Sequence, residues 1–242
     1  MIVSFISSKG GTGKTSTCVN IAGYLAKTGK KVLVLDLDPQ ASATSALGVG
    51  RGDIGEDCSQ SLFDHEKRIR STVFRVGGLD MDLVPSLSGR IFSEVEEGFL
   101  SGELVDLKET YDYVLIDTPP GFNFLSREAI MAADTLLSVF DFSIFAYENL
   151  GLLKEWVRDS GKELEIGVVN ELNVGDRSAR RILRDIASAL DPTFFVPFDK
   201  RVFGSQATGV PLSHTGKRSK ALKAYGKIAD FISGGYNGNK KR

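Results

Sequence analysis

Two lysines bracket a glycine-rich turn in Lys9-Gly10-Gly11-Thr12-Gly13-Lys14-Thr15. Backbone N–H groups converging at such a turn, with the positive end of a helix behind them, hold a chain of phosphates. At this spacing Lys14 reaches the terminal phosphates, the Thr15 hydroxyl ligates a phosphate-bound Mg²⁺, and Ser16 continues the phosphate-contacting run. The usual pattern has a glycine where this chain has Ser8, separated from Gly13 by four residues. The turn is therefore a P-loop with an altered first residue and an added lysine, Lys9. A glycine-rich strand-to-helix turn would be unremarkable alone; a Gly-Lys-Thr between strand and helix points to a nucleoside triphosphate. Carboxylates end two later apolar runs, in Asp36-Leu37-Asp38-Pro39-Gln40 and in Asp117-Thr118-Pro119-Pro120-Gly121. A single Asp at a strand end reads as a turn former or helix cap. Two such ends, on separate strands of a P-loop chain, favour a metal site in which Thr15, Asp38 and Asp117 surround Mg²⁺, with Asp117 acting directly or through water. Asp38 is also suited to orient an attacking water.

These residues need strands to end beside one another. Ile2 to Ile6 reads as a buried strand, and 14–28 as the helix behind the turn. Further apolar strands are predicted at 32–35, 81–84, 113–116, 135–140, 165–169 and 193–196. Helical spacing appears at 90–108, 125–133, 146–159, 178–190 and 218–232. Continuous apolar strands alternating with helices predict an α/β fold: a mostly parallel twisted sheet with helices on both faces, as in P-loop NTPases. Ligands of such sheets sit at the carboxyl ends of the strands. Residues 1–232 read as one domain. The stretch 48–60, rich in Gly and Asp, is expected to be a surface loop, and the basic segment 233–242 a frayed, flexible tail.

The chain has 242 residues, 25% of them charged and 42% hydrophobic, as in an ordinary folded protein. No apolar stretch approaches a membrane span, and no signal-peptide pattern opens the sequence, so a cytoplasmic location is expected. Cys18 and Cys58 are too few and too distant for a zinc or redox motif. The formal net charge of −1 hides an asymmetry, because residues 177–242 carry 14 Lys and Arg against 4 Asp and Glu. Such a basic end suggests a polyanion partner, although solvated helix faces have the same composition. Arg177, Arg180, Arg181 and Arg184 fall on one stripe of a helix that Asp176 is placed to cap. Ala179, Ile182, Leu183, Ile186 and Leu190 lie opposite. The last helix repeats the device with Lys220, Lys223 and Lys227. Stripes of this kind track phosphates without reading bases.

The first turn, the segment Leu35 to Val49, the run Leu83-Val84-Pro85-Ser86, the segment Tyr111 to Pro120, and Val196-Pro197 leading to Gly209-Val210-Pro211 together carry a resemblance. The chain resembles the ParA/Soj/MinD group of deviant Walker-A ATPases, and within it the ParA/Soj DNA-partitioning proteins, from Met1 to about Ile232. The resemblance implies slow, partner-stimulated hydrolysis of ATP with Mg²⁺ and a homodimer that sandwiches ATP. Lys9 would cross to the partner subunit's phosphates, Lys14 would serve its own, and Asp38 would act in hydrolysis. Asp117 would support Mg²⁺, and Pro119-Pro120-Gly121 would sense the γ-phosphate. It further implies nonspecific DNA binding by the ATP dimer, release on hydrolysis, a ParB-like centromere-bound activator, and association with the nucleoid.

The segment Gly167 to Leu172 departs from the hydroxyl-rich ending common in bacterial partition proteins. Its Asn170 resembles the strand-end Asn that reads adenine in MinD-like relatives, where an amide serves N6 and N7 as acceptor and donor; a turn Asn is the simpler reading. Pro197 and the loosely matching Phe198 to Phe203 would pack the base. A MinD-like membrane-associated ATPase is the main alternative, and it needs an amphipathic C-terminal helix with large apolar residues on one face. Those available, Tyr225, Ile228 and Ile232, are better suited to the core, so a membrane is not the expected partner. A metal-cluster carrier would need interface cysteines, and a scaffold without catalysis would not need intact Lys14, Thr15, Asp38 and Asp117.

Overall fold

The computed structural model describes residues 1–141, 145–172 and 179–234, with the side chains of 145–148, 171–172 and 179–182 left undescribed. Among the described residues, eight strands form one sheet: β1 Ile2–Ile6, β2 Val32–Asp36, β3 Phe74–Val76, β4 Met81–Val84, β5 Tyr113–Asp117, β6 Thr135–Phe140, β7 Ile166–Leu172 and β8 Thr193–Pro197. Their order is β3-β4-β2-β5-β1-β6-β7-β8, all parallel except the β3–β4 pair. The helices are α1 Lys14–Lys27, α2 Ser42–Ala46, α3 Arg51–Ile54, α4 Ser59–Phe63, α5 Phe99–Leu104, α6 Phe124–Ala132, α7 Phe145–Asp159, α8 Ala179–Ala189, α9 Lys200–Ala207 and α10 Lys220–Ile232.

Strand alternation sorts the core into two layers. Val3, Phe5, Val32 and Val34 face α1 and α10, joining Cys18, Ile21, Leu25, Tyr225 and Ile228. Ile2, Leu33, Leu35, Val114 and Ile116 face the other way, toward Leu62, Phe63, Leu100, Leu104, Leu125 and Ala129 of α4, α5 and α6. A third cluster sets Ile6, Leu136 and Phe140 against Leu150, Leu153 and Val157 of α7, Ile186 of α8 and Leu190 just after it. Every residue of β1, β2 and β5 is buried, as a parallel sheet covered on both faces requires. The same covering fixes register: Phe5 lies beside Asp117, and Asp36 opposite Asp117. Three strand ends thus meet at one edge.

Three expectations change. The helix read over 90–108 is confined to α5 and a short 3₁₀ turn at Val105–Leu107. Tertiary contacts override the helical spacing before it. Phe92 turns inward against Phe63, their ring centroids 5.3 Å apart, Arg90 and Ser93 bond Asp64, and buried Glu128 accepts the N–H groups of Gly98 and Leu100. The stretch 48–60 is not all surface, since Ile54, Cys58, Ser59 and Gln60 are buried around α3 and the start of α4. Its polar residues go inside because their groups find partners there, such as Ser59 N–H on the Pro85 carbonyl. Strand β3 was not anticipated; it pairs antiparallel at the sheet's edge and is only three residues long.

Candidate functional site

The turn after β1 has the geometry its sequence requires. Gly11 and Gly13 take positive φ, and Gly13 at φ 84 N-caps α1. A Cβ on Gly13 would lie 2.5 Å from the Asn170 amide nitrogen, so glycine is required there twice over, by conformation and by space. The loop after β5 is stitched to β1: the Thr118 hydroxyl donates to the Phe5 carbonyl at 2.7 Å and the Gly121 N–H to the Ser7 carbonyl at 3.0 Å. Pro120 thereby faces Gly10 across the mouth of the site.

A cavity of about 640 Å³ opens over this turn, lined by Gly10 to Ser16, Asp38, Gln40, Pro120 and Gln206 among others. Its volume suits a polyphosphate and more. Lys14 is buried at its floor. Thr15 Oγ1 donates to Asp117 Oδ2 at 2.7 Å, whereas Asp117 Oδ1 is buried without a hydrogen-bond partner. A buried, unsatisfied carboxylate oxygen beside a hydroxyl is a hard-oxygen donor pair that fits Mg²⁺, an ion that takes its other ligands from water and phosphate. Among the described residues no cluster of three His, Cys, Asp or Glu could cage a metal by itself. Burial pushes the Asp117 carboxyl above the ordinary carboxylate range; Lys14 and the Thr15 hydrogen bond oppose the shift, and the charge of Asp38 adds to it. Asp36, fully buried across the strand pair, is raised by burial first and by Asp117 second. Lys14 is the cation already beside this pair, and it favours the ionised form of Asp117.

Beside the phosphate cavity lies a second, more apolar one of about 430 Å³, between Asn170, Val196, Pro197, Phe198, Phe203 and Tyr225. The strand end carrying Asn170 and the loop after β8 frame it, which brings Asn170 and Pro197 to the wall of one cavity. The Asn170 amide group is engaged differently from the expectation. Its Nδ2 donates to the carbonyls of Thr12 and Gly13 and to the Thr17 hydroxyl, at 2.9, 3.2 and 3.0 Å. Carbonyls only accept, so the nitrogen must be the atom facing the turn, and only Oδ1, buried and unpartnered, remains for a base. An acceptor for an exocyclic amine survives; the donor half of the adenine reading does not.

The remaining predicted residues are placed as follows. Lys9 Nζ lies 2.6 Å from Asp141 Oδ2, just past the end of β6, with both side chains partly exposed. Arg184 is exposed on α8, and Ile186 and Leu190 on its other side are buried. Arg177 and Asp176 lie outside the described residues, as do the side chains of Arg180 and Arg181. Lys220, Lys223 and Lys227 are exposed along α10 beside β8, the last strand of the sheet. The sequence reading did not single out Gln206, whose Nε2 donates to Ser16 Oγ at 2.8 Å from the distant α9, nor Gln40 and Ser45 on the cavity wall. Short-range spacing carries no signal for a contact between positions so far apart in the chain.

Comparison with known proteins yields one family model and several relatives. A model described as an AAA domain matches residues 1–168. The chain is 28% identical over 248 residues to the chromosome-partitioning ATPase Soj of Treponema pallidum (strain Nichols), covering 94% of this chain and 95% of that one. A putative plasmid partition protein of Borrelia burgdorferi B31, solved bound to AMPPNP, has a TM-score of 0.82 at 23% identity, with 97% of this chain and 99% of that one covered. The cell division ATPase MinD of Pyrococcus furiosus has a TM-score of 0.80 at 23% identity, covering 96% and 98%.

Proposed function

This chain belongs to the ParA/Soj/MinD family of P-loop ATPases, and from that premise we propose that it is a DNA-partitioning ATPase that dimerises on MgATP, holds DNA nonspecifically as a dimer, and lets go on hydrolysis. The observation that carries the reading is the convergence of Lys14, Thr15 and Asp38 on one cavity, with Asp117 hydrogen-bonded to Thr15 behind it, where β1, β2 and β5 end together. Lys14 and the N–H groups of residues 10–16 bind the phosphates. Thr15 and Asp117 would hold Mg²⁺, which supplies charge neutralisation on the β- and γ-phosphates. Asp38 sits on the cavity wall with one carboxylate oxygen accepting from the Gln40 N–H at 2.9 Å, which leaves the other for an attacking water. Lys9 supplies the cation that reaches a second subunit's triphosphate, so that dimerisation depends on ATP. A ParB-like protein stimulates the slow turnover, and the nucleoid is the site of action; both belong to the reading because of the Soj relationship.

A membrane-bound mode has less support. The apolar residues of α10, namely Tyr225, Ile228, Ala229 and Ile232, are buried in the core, which leaves that helix a basic outer face. Co-sedimentation with DNA or with liposomes, each in ATP or ADP, tests the choice. DNA pelleting only with ATP supports the reading, and liposome pelleting instead overturns it. Asp38→Ala is expected to keep ATP-dependent dimerisation while hydrolysis falls by about 100-fold or more. Unchanged turnover would remove Asp38 from the mechanism.

A further inference from the structure

Asp38 reaches into the phosphate cavity from a backbone whose amide and carbonyl, on either side of its Cα, are both held by buried side chains. On its amide side, Asp38 N–H donates to Asp36 Oδ1 at 3.0 Å. Asp36 Oδ2 in turn accepts the N–H and the hydroxyl of Thr44, at 2.9 and 2.7 Å, and the Thr44 hydroxyl accepts Ser86 N–H at 2.9 Å. On its carbonyl side, Asp38 accepts the Ser86 hydroxyl at 2.8 Å, and that hydroxyl accepts Gln60 Nε2 at 2.9 Å. Gln60 Oε1 closes the set by accepting Leu87 N–H at 3.0 Å.

Proton directions in this set are not interchangeable. Ser86 N–H and the Gln60 amide nitrogen can only donate, and the Asp38 carbonyl can only accept, so the Ser86 hydroxyl has one available orientation, and the Thr44 hydroxyl donates to Asp36 wherever that carboxyl is ionised. Asp36, Thr44, Ser86 and Gln60 are each no more than 2% exposed, and none of the four lines the phosphate cavity. A fully satisfied polar network in a low-dielectric interior is stiff, because any tilt leaves a buried group unpaired. Its members come from β2, α2, the loop after β4, and α4, so four separate segments agree on where one residue stands.

We propose that Asp36, Thr44, Ser86 and Gln60 are positioning residues that set the place of Asp38 for the hydrolytic step, without contributing to nucleotide binding. The proposal rests on Asp38 acting in hydrolysis. None of the four touches the nucleotide cavity, so loosening them should displace the Asp38 carboxylate relative to the phosphates while the P-loop keeps its grip. A misplacement on the order of 1 Å is enough to cost about 100-fold in rate. The simpler alternative is that the network only ties the ends of β2 and β4 together; it predicts loss of stability and of nucleotide affinity together.

The test compares Thr44→Val, Thr44→Ser, Ser86→Ala and Asp38→Ala in single-turnover ATP hydrolysis, in titrations with fluorescent ATP and ADP analogues, and in thermal melts. Val keeps the shape of Thr44 but removes the hydroxyl that serves both Asp36 and Ser86, whereas Ser retains it. Expected for Thr44→Val and Ser86→Ala is a fall in hydrolysis of about 10- to 100-fold, with nucleotide affinities within about twofold and Thr44→Ser close to the parent. Undiminished hydrolysis in both hydroxyl deletions overturns the proposal, as does a loss matched by nucleotide affinity or one that Ser fails to restore. Should Thr44→Val not fold, Ser86→Ala decides by the same criteria. Asp38→Ala separates the two levels. If it still hydrolyses ATP, the premise fails and the positioning role fails with it; if it is inactive while both deletions are active, only the positioning role falls.

Discussion

The phosphate cavity and the basic C-terminal surface would both contact phosphates, yet they are built in opposite ways. Around the cavity Lys14 is buried, and Asp36, Asp38, Thr44 and Asp117 are buried and hydrogen-bonded to named partners. On α10, Lys220, Lys223 and Lys227 are exposed, and the helix behind them is held by its other face. A site that must discriminate a transition state needs fixed dipoles in a dry setting. A surface that must hold any DNA sequence needs charge density and freedom to follow the backbone. The difference teaches that change at one atom should be severe in the first region and graded in the second.

Gly13→Ala presses the comparison hardest. Alanine at φ 84 is strained by about 1–2 kcal/mol, and its methyl would drive the Asn170 amide off the carbonyls it caps. The expected result is a fall in ATP affinity of more than about 100-fold with a lower melting temperature, read by nucleotide titration and calorimetry. Near-parental affinity would mean that the loop adapts and the first region is less constrained than its geometry implies. The charge reversal Lys220→Glu, Lys223→Glu and Lys227→Glu addresses the other side. DNA affinity at 0.15 M salt should drop at least about 10- to 100-fold and the log–log salt slope should flatten by up to about 5, since a dimer presents six of these lysines and each phosphate contact contributes roughly 0.9. Melting temperature and DNA-free hydrolysis should hold, because exposed residues away from the site carry little stability. An unchanged slope would reduce these lysines to a solvated face.

The same contrast explains what the sequence could tell. Gly10 to Thr15 and Asp117 were legible because a P-loop and its strand-end carboxylate depend on local spacing and on which strand ends are neighbours, and continuous apolar strands disclose both. Asp36 was visible as a residue but not as a partner of Thr44, because that contact depends on how α2 folds back over β2. Gln60 falls in the stretch whose Gly- and Asp-rich composition predicts a surface loop. Its burial follows from acceptors and donors at Ser86 and Leu87, about 26 residues on, which no periodicity encodes. The spacing around Asn170 does not disclose that its amide nitrogen turns to the P-loop carbonyls, since the geometry that decides which amide atom faces the P-loop is tertiary. The basic residues were legible as composition alone, and exposure on α10 does not distinguish a DNA surface from a solvated one.

Lys9 belongs to neither class, and that makes it the finest probe of the contrast. It sits in the P-loop, yet its side chain is 39% exposed and paired with Asp141 of its own subunit. A lysine that serves a second subunit's triphosphate must give up that contact when the dimer forms. The pair therefore opposes dimerisation by whatever it contributes to the monomer. Pairs this exposed are screened by water and typically contribute about 0.2–1 kcal/mol. Each dimer gives up two such pairs, so Asp141→Asn, which keeps the shape and removes the charge, should tighten ATP-dependent dimerisation by about 2- to 30-fold, measured by sedimentation across a concentration series. The gain should shrink in high salt as the opposing attraction is screened, and ADP-bound protein should stay monomeric. Weaker dimerisation in Asp141→Asn would instead place Asp141 on the side of the interface, helping Lys9 to reach across.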